Sequence, residues 1–234
     1  MHCLEREGHP LYSVGECLSS MYANLDGHFG NLHWWPGESE LEVMIGAVLT
    51  QSTAWSNVER AIDNLKKNRL LDIRRLLEID TPTLELLLRP TGFFRVKTMR
   101  LQNLLQFIQR NYAGDVDRMF RDELWVLREK LLRVQGIGEE TADCILLYGG
   151  GKPIFVVDAY TRRILVRHGL IGAKATYGEV QRLFMDHFPH DRDHFGQFHA
   201  LFVEAGKTFC GAKQKCGPCP LGHCGRFIAN QKGE

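Results

Sequence analysis

The feature that most constrains the fold is a stretch in the second half of the chain, from Leu131 to Arg163, which reads LLRVQGIGEETADCILLYGGGKPIFVVDAYTRR. Two helical runs in it flank a short Gly-x-Gly turn, and an isolated carboxylate, Asp158, follows the second run. Gly136 and Gly138 can adopt backbone angles that are closed to other residues, so the turn can be tight and its amides uncovered. Because the N-terminus of a helix attracts anions, this turn is a candidate phosphate site. A helical hairpin without a ligand is the alternative.

No segment shows the alternating apolar and polar pattern of a half-buried strand, and IFVV at 154–157 is the only short β-like run. Helical spacing elsewhere predicts an all-α fold. The segment from Glu38 to Thr50 is apolar on almost every side, which predicts a central, buried helix that Ser39 can cap. The two arms of the hairpin are expected at 121–133 and 139–148.

The charge and the N-terminus limit the classes of protein that fit. The 234 residues carry a formal net charge of +1, so the chain has no global basic footprint for nucleic acid, although a local basic face is possible. No run of about 18 uncharged apolar residues suits a membrane span, and the N-terminus lacks the apolar core of a signal peptide. These observations predict a cytoplasmic protein.

Four of the seven cysteines cluster near the end of the sequence with the spacing C-x5-C-x2-C-x4-C; these are Cys210, Cys216, Cys219 and Cys224. In a long chain without an export signal, such a group favours metal binding over disulfides. Four thiolates within so few residues suit a tetrahedral zinc site or an iron–sulfur cluster. Spacing alone leaves both possibilities open.

The segment LLRVQGIGEETAD followed by FVVDAYTRR resembles the helix-hairpin-helix and Gly/Pro-Asp signature of the endonuclease III superfamily of DNA glycosylases, also called HhH-GPD. The resemblance extends from about His33 to Cys224. It implies that the hairpin grips a DNA backbone phosphate and that Asp158 is the catalytic carboxylate. It also implies that the four cysteines form a C-terminal loop with a [4Fe-4S] cluster, zinc being the alternative. The residues expected at the DNA on this basis are Gln51, Lys97, Gln135, Gly136, Gly138 and Thr141.

The same resemblance bears on the reaction. Bifunctional members of the superfamily carry a lysine nucleophile at the position that Glu140 occupies here, and a glutamate cannot form an imine. We therefore expect a monofunctional glycosylase that leaves an abasic site, with AP lyase activity doubtful unless Lys152 or Lys207 substitutes. A carboxylate at a helix start, such as Asp158, can act simply as an N-cap. In the superfamily it also stabilises the sugar cation or orients a water molecule.

Two further segments, WWPGESELEVMIGAVLTQSTAW and LRPTGFFRVKTMRL, resemble the 3-methyladenine DNA glycosylase branch of the superfamily. In that branch two aromatic residues sandwich the alkylated base, which here implies Trp55 with Trp34 or Trp35. Tryptophans that only cover the core are the alternative. The chain departs from the branch in having the cysteine group and in lacking a lysine in the last helix, where the position falls near Leu201. Oxidised pyrimidine or mismatch substrates therefore stay open.

Several DNA contacts have alternatives within the protein. Gln51 could wedge into the gap left by a flipped base or simply end the buried helix. Thr141 could donate to a phosphate or pack within its helix. Lys97 and Arg100 are expected to face outward, with Lys97 on the DNA side or simply solvated.

The combined prediction is a two-domain helical repair enzyme that acts as a monomer on damaged double-stranded DNA in the nucleoid region of a bacterial or archaeal cell. One domain is expected at 36–148, ending in the hairpin, and the other at 1–35 plus 149–234, with the substrate pocket between them. The expected reaction is hydrolysis of the N-glycosidic bond of an alkylated purine. A bifunctional glycosylase/AP lyase and a non-catalytic DNA-binding relative are the alternatives.

Overall fold

The computed structural model describes residues 13–222 of the chain. These residues form twelve α-helices and contain no β-strand, so the predicted all-α fold is confirmed. The helices are α1 Val14–Phe29, α2 Glu40–Leu49, α3 Trp55–Lys67, α4 Ile73–Glu78, α5 Thr81–Leu88, α6 Phe94–Tyr112, α7 Val116–Phe120, α8 Leu124–Leu132, α9 Glu139–Cys144, α10 Ala159–Arg167, α11 Tyr177–Met185 and α12 Arg192–Thr208. A 3₁₀ turn at Arg89–Thr91 precedes α6, and a π-helical turn at Ile145–Gly149 continues α9.

The chain divides into two compact units. The central unit consists of His33–Val156 and His190–Gly196. Within the described residues, the terminal unit consists of 13–32, Val157–Pro189 and 197–222. A compact unit is not necessarily a domain, because a domain must also be able to fold alone. The two predicted domains and their boundaries therefore stay a prediction.

Helix α2 lies at the core of the central unit, and every residue from Glu42 to Leu49 is buried. The helix contacts α3, α6, α9 and the π-helical turn. Ser39 caps it as predicted, because its side chain accepts a hydrogen bond from the amide of Glu42 at 3.2 Å. The buried helix thereby supports the second arm of the hairpin and the segments at both of its own ends.

The terminal unit is built around phenylalanine side chains. Phe198 of α12 packs against Phe184 of α11, Phe202 of its own helix and Tyr22 of α1, with ring centroids 5.2, 4.9 and 5.1 Å apart. The amide nitrogen of Gln197 donates to Asp26 Oδ1 and to the carbonyl of Gly30, both at 2.8 Å. Helices α1, α11 and α12 are therefore held together through Gln197 and Phe198 of α12.

One local feature differs from the sequence-based expectation. The first arm of the hairpin begins at Leu124 rather than at Arg121, because the side chain of Glu123 caps it by accepting from the amide of Trp125 at 2.9 Å. The run Ile154–Val157 is buried and belongs to no strand in the part of the chain that the structure describes, in agreement with the predicted all-α fold. Between residues 13 and 222, no helix is both long and apolar enough to cross a membrane.

Candidate functional site

The turn of the hairpin lies between α8 and α9. Gly136 has a φ of +95°, and a side chain there would clash with Cγ of Arg100, so glycine is required at this position as predicted. Gly138 has a φ of −93°, which any residue can adopt, so the prediction of a special backbone angle is wrong there. Gly138 is exposed, and a Cβ atom on it would meet open space. The start of α9 therefore leaves room for a ligand at its uncapped amides.

A buried ion pair joins the two arms of the hairpin. Arg128 of α8 donates two hydrogen bonds to the carboxylate of Asp143 in α9, at 2.6 and 3.1 Å. Asp143 is fully buried, and Glu139 lies 3.6 Å from the same guanidinium. The carboxylate of Asp143 is shielded from water, so it depends on Arg128 as its partner. The two charge-assisted hydrogen bonds therefore hold the two arms at a fixed separation.

Replacement of Arg128 by methionine is expected to lower the free energy of unfolding by about 3 kcal/mol, because it leaves the carboxylate of Asp143 buried without its cation. Urea denaturation measures this change. The matched control is Arg133→Met, whose side chain and partner Glu129 are both exposed; this change should cost less than about 0.5 kcal/mol. Equal effects of the two substitutions would contradict the assigned role of Arg128.

Four of the predicted DNA-contacting residues form hydrogen bonds within the protein around the hairpin turn. The amide nitrogen of Gln51 donates to the carbonyl of Gly136 at 3.3 Å and to Oγ1 of Thr141 at 2.8 Å. The carbonyl of Gln135 accepts from Asn103 at 3.0 Å, while its side chain is exposed. Thr141 is buried and its hydroxyl oxygen accepts the bond from Gln51, which fits packing within the helix, while its contact with a phosphate stays a prediction. A wedge role for Gln51 would require its two bonds to the hairpin to break.

The prediction that Lys97 faces outward is wrong. Its side chain is 1% exposed, and its ammonium donates to the carbonyl of Thr91 at 2.7 Å. Position 97 falls on the buried face of α6, four residues before Leu101 and seven before Leu104. Burial, together with the nearby Arg100 cation, lowers the pKa of Lys97 to about 8. The residue fixes the turn before α6 rather than meeting DNA.

The pKa of Lys97 gives the folded protein a specific pH dependence. The unfolded chain keeps this proton up to a pKa near 10.5, whereas the folded chain loses it above about 8. The unfolded state therefore binds more protons in this window, and stability rises with pH there. Chemical denaturation between pH 7 and pH 10.5 should show wild type gaining stability relative to Lys97→Met above pH 8. A constant difference between the two proteins across this range would refute the assignment.

The three tryptophans predicted for the base pocket come together in the central unit. Ring centroids are 6.0 Å apart for Trp34 and Trp35, 6.4 Å for Trp34 and Trp55, and 4.9 Å for Trp35 and Trp55. All three side chains are half-buried. Trp35 and Trp55 pack over Gly46 of α2, where a Cβ atom would lie 3.3 Å from each ring. The small residue in the buried helix thus makes room for both indoles.

Sequence reasoning missed a fourth member of this aromatic group. The ring of Tyr148, in the π-helical turn, lies 5.2 Å from that of Trp35, and its hydroxyl donates to the carbonyl of Gly196 at 3.3 Å. No motif marks this tyrosine, because its contact depends on how the turn after α9 places residue 148. Trp34, Trp35, Trp55 and Tyr148 are called the aromatic group below.

Asp158 is the N-cap of α10 in the terminal unit, as its position before a helical run predicted. Its Oδ1 accepts from the amide of Thr161 at 2.7 Å, and the preceding amide of Val157 donates to the hydroxyl of Tyr177 at 3.2 Å. The side chain is 7% exposed. These contacts fix one carboxylate oxygen of Asp158 and the backbone amide that precedes it, and they place the carboxylate at the positive end of the helix dipole.

His199 of α12 is a neighbour of this carboxylate that the sequence did not reveal. Its Nε2 lies 3.8 Å from Oδ2 of Asp158. Burial lowers the pKa of His199, although the charge of Asp158 acts in the opposite direction. The imidazole is therefore neutral at neutral pH and does not cancel the negative charge of Asp158.

The described part of the cysteine loop contains three of the four predicted ligands, and Cys224 lies outside the described residues. Arg167 of α10 donates to Sγ of Cys210 at 3.1 Å and to the carbonyls of Cys210 and Gly211 at 3.0 and 2.8 Å. At Gly222, a side chain would clash with the carbonyl of Cys216, so the chain turns tightly there.

Among residues 13–222, no three His, Cys, Asp or Glu side chains are grouped as a metal ion would require. The cluster therefore stays a prediction. Two observations nevertheless fit a thiolate-bound group: the cation beside Cys210 and the tight turn that follows Cys219.

Glu140 is exposed in the first turn of α9, at the position where bifunctional relatives were expected to carry lysine. The ammonium of Lys152 donates to the carbonyl of Asp122 at 2.6 Å in the central unit. Lys207 of α12 lies 3.7 Å from Glu204. Each of the two alternative lysines thus has a nearby oxygen partner.

One exposed apolar residue of the central unit was not singled out by sequence reasoning. Phe93 precedes α6, has a φ of 43° and is 76% exposed. The neighbouring Gly92 indicates a turn in the sequence, but nothing in the sequence indicates that the side chain of Phe93 is exposed.

The chain combines an all-α fold with a glycine-containing helical hairpin and a carboxylate at the N-terminus of the next helix, α10. This combination is typical of a class of base excision DNA repair proteins. The family described as "HhH-GPD superfamily base excision DNA repair protein" matches residues 45–190. The chain belongs to this superfamily, and at this level it is a DNA glycosylase.

Individual relatives agree with this assignment. MJ1434 of Methanocaldococcus jannaschii, whose name places it provisionally among the DNA repair glycosylases, is 43% identical over 88% of this chain and 94% of its own length. Endonuclease III of Thermotoga maritima is 29% identical over 82% of this chain and 85% of its own.

Solved structures of glycosylases have similar folds. The H. pylori 3-methyladenine DNA glycosylase MagIII bound to 1,N6-ethenoadenine has a TM-score of 0.72 and 26% identity, covering 84% of this chain and 98% of that one. A non-covalent endonuclease III–DNA complex has a TM-score of 0.78 at 22% identity, covering 92% and 96% of the two chains. The second likeness concerns the fold alone.

Proposed function

We propose that this chain is a monofunctional DNA glycosylase that removes alkylated purines of the 3-methyladenine type from duplex DNA, acting as a monomer. The observation that carries the proposal is the convergence of Trp34, Trp35 and Trp55 in the central unit, with centroids 4.9 to 6.4 Å apart. The similarity to MagIII, which was solved with a modified adenine, supports the same substrate class.

The aromatic group suits a cationic base. A flat base between two rings needs about 7 Å between the ring planes, since stacked atoms lie about 3.5 Å apart. The ring centroids of Trp34 and Trp55 are 6.4 Å apart with an interplanar angle of 46°, so a base would be admitted after one indole rotates toward parallel and the two rings move slightly apart. Alkylation gives a purine a positive charge, which the electron-rich faces of tryptophan attract. A neutral pyrimidine gains only the stacking part of this energy.

Asp158 supplies the chemistry expected of the active site. As the N-glycosidic bond breaks, its electron pair leaves with the purine, which is already cationic and departs as a neutral base. Positive charge develops at C1′ of the sugar, and the carboxylate of Asp158 stabilises it. Water then adds to C1′ and gives up a proton, which leaves an abasic site. A base that departs this easily needs no strong general acid in its pocket.

The glutamate at position 140 supports the monofunctional assignment, because a carboxylate cannot form a Schiff base with the sugar. Borohydride trapping on damaged duplex tests this point directly. A covalent protein–DNA adduct would establish lyase activity, and replacement of Lys152 and Lys207 in turn would identify its nucleophile.

The central unit offers two features that suit DNA. The amides at the start of α9 are uncapped by any side chain and can bind a backbone phosphate. Phe93, exposed before α6, is an apolar side chain that can insert between base steps, as apolar residues of DNA-bending proteins do. It is better suited to fill the gap of a flipped base than Gln51, whose amide is bonded to the hairpin.

Cys210, Cys216, Cys219 and Cys224 would hold the [4Fe-4S] cluster, with zinc as the alternative. A bound cluster would order the loop through four metal–thiolate bonds, and its role would be structural. Arg167 would place its guanidinium beside the Cys210 thiolate and offset part of its charge.

The purified protein is expected to contain about four iron atoms per chain and to absorb visible light, and Cys216→Ser should lose most of this iron. Iron analysis and absorbance spectroscopy measure both effects. Cys17→Ser, outside the loop, is the control and should keep the full complement. A colourless protein with one zinc ion per chain would contradict the cluster and support the zinc site.

The proposed substrate is tested by measuring base release from duplexes that carry separate methylated, oxidised or deaminated lesions, with alkali to reveal abasic sites. Release of a methylated purine at a rate well above that for the other lesions is the expected result. Release of oxidised pyrimidines or deaminated bases alone would overturn the substrate class and leave the glycosylase assignment intact. Tight binding to an abasic site without release of any base would support the non-catalytic alternative.

A further inference from the structure

The hairpin turn is held from within the central unit by residues of two distant helices. Arg100 of α6 donates a hydrogen bond to Oε1 of Gln51, which follows α2. The amide nitrogen of Gln51 in turn donates to the carbonyl of Gly136 at 3.3 Å and to Oγ1 of Thr141 at 2.8 Å. The polar atoms of the Gln51 side chain are thus committed to a chain of bonds from α6 to both sides of the turn.

The stem of Arg100 adds a second constraint. A side chain on Gly136 would clash with its Cγ, so the backbone of the turn rests on the arginine at van der Waals distance. One turn further along α6, Asn103 donates to the carbonyl of Gln135 at 3.0 Å. Helix α6 therefore contacts two successive residues of the turn directly and a third position, Thr141, through Gln51.

The support of the turn by Arg100 and Gln51 matters because a phosphate can bind only amides that point in the right direction. A phosphate at the start of α9 would bind backbone amides, whose directions depend on the φ and ψ angles of the turn. Gly136 sits at a φ of +95°, and a glycine in a surface turn has many other conformations available. Without a fixed support, the turn would lose entropy on each encounter with DNA.

We infer that Arg100 is a positioning residue for DNA binding: it holds Gln51, and Gln51 holds the hairpin turn in the conformation that receives a phosphate. The inference rests on the proposed function, in which the hairpin binds DNA. Arg100 is half-buried, so a direct bond from it to a phosphate is the competing role, and a wedge is the competing role for Gln51.

The test compares Arg100→Met, Gln51→Leu and the double variant with wild type, using a fluorescent undamaged duplex as the probe. Each single change should weaken binding about 10-fold, because a hydrogen bond to a charged group is worth about 1.5 kcal/mol or more. The double variant should be no weaker than about 10-fold, since both changes release the same support. Arg110→Met, at the exposed far end of α6, is the control and should bind like wild type.

Salt dependence separates positioning from direct contact. If Arg100 only positions the turn, the slope of log affinity against log salt stays unchanged in Arg100→Met. A slope that falls by about 0.9 would show that Arg100 itself neutralises a phosphate and would overturn the inference. An additive loss of about 100-fold in the double variant would do the same. If Gln51→Leu slows base release but leaves binding to undamaged duplex intact, Gln51 acts as a wedge and the inference fails.

Amide hydrogen exchange without DNA keeps the inference testable if the proposed function is wrong. Exchange at residues 135–141 should be faster in Arg100→Met and Gln51→Leu than in wild type and Arg110→Met, with other segments unchanged. Unchanged exchange at the turn would overturn the inference even if wild type binds DNA. Faster exchange in a protein that does not bind duplex would instead leave the positioning intact and refute the DNA-binding role of the hairpin.

Discussion

Replacement of Asp158 by asparagine is expected to slow base release by about 10²- to 10⁴-fold, the range found when a charged or proton-transferring group is removed from an active site. The physical reason is that asparagine has no negative charge to stabilise the cation at C1′ of the sugar. Asparagine caps a helix about as well as aspartate, and it can accept the same bond from the amide of Thr161. The free energy of unfolding should therefore change by less than about 1 kcal/mol. Single-turnover base release and thermal unfolding measure the two quantities.

Asp72→Asn is the matched control for this experiment. Asp72 caps α4 in the central unit and accepts from the amide of Arg75 at 2.9 Å, so the same substitution perturbs the same kind of cap away from the proposed site. It should leave base release unchanged. An Asp158→Asn variant with full activity would show that the carboxylate only caps α10. If Asp158→Asn unfolds, Asp158→Glu is measured instead, because it keeps the charge but shifts it. Loss of activity in Asp158→Glu would support a carboxylate that must be placed at C1′, and full activity would oppose it.

Replacement of Trp55 by leucine is expected to lower kcat/KM for a cationic alkylated purine by about 10- to 100-fold, because stacking of a base on an aromatic ring is worth about 1–3 kcal/mol. Leucine keeps apolar volume over Gly46 but has no π face. The loss should be larger for a cationic purine than for a neutral damaged base, since the attraction between cation and ring disappears as well. Trp55→Phe retains a ring and should recover part of the activity, losing only the weaker π face and the bond from the indole to Glu59.

Trp125→Leu provides the control for the pocket. Trp125 is a half-exposed tryptophan on α8 of the same unit, outside the aromatic group, and its replacement should leave the ratio of activities on cationic and neutral bases unchanged. An equal loss of activity on both classes of base in Trp55→Leu would mean that the aromatic group does not select for charge. If Trp55→Leu loses no activity on either class of base, the aromatic group is not the base pocket.

The elements that local sequence determines were predicted well. The apolar run of α2, its Ser39 cap, the glycine turn before α9 and the carboxylate at the start of α10 follow from periodicity and capping chemistry that act over a few residues. The fold class follows from the same signals, because no segment offered a competing strand pattern. Three tryptophans were identified through a resemblance, and the structure brings their rings together.

The features that the sequence did not predict depend on residues far apart in the chain. The contact of Arg100 with Gln51 spans 49 positions, and no local rule relates them. Tyr148 and His199 gained their roles only from the packing of the elements that carry them. Lys97 was assigned to the surface because lysine is rarely buried, although its spacing from Leu101 and Leu104 places it on the inner face of α6.

Helix α10 has Asp158 at its first end and Arg167 at its last, and the second residue bonds the cysteine loop. The nine residues between the caps span about 14 Å, so a short rigid rod links the residue proposed for chemistry to a loop that touches no substrate in the proposed mechanism. If the loop binds the proposed [4Fe-4S] cluster, iron starvation or oxidative stress would lower base release through the loop without altering any atom of the base pocket. A genetic screen for repair-deficient alleles should accordingly recover lesions in the loop alongside those in the active site.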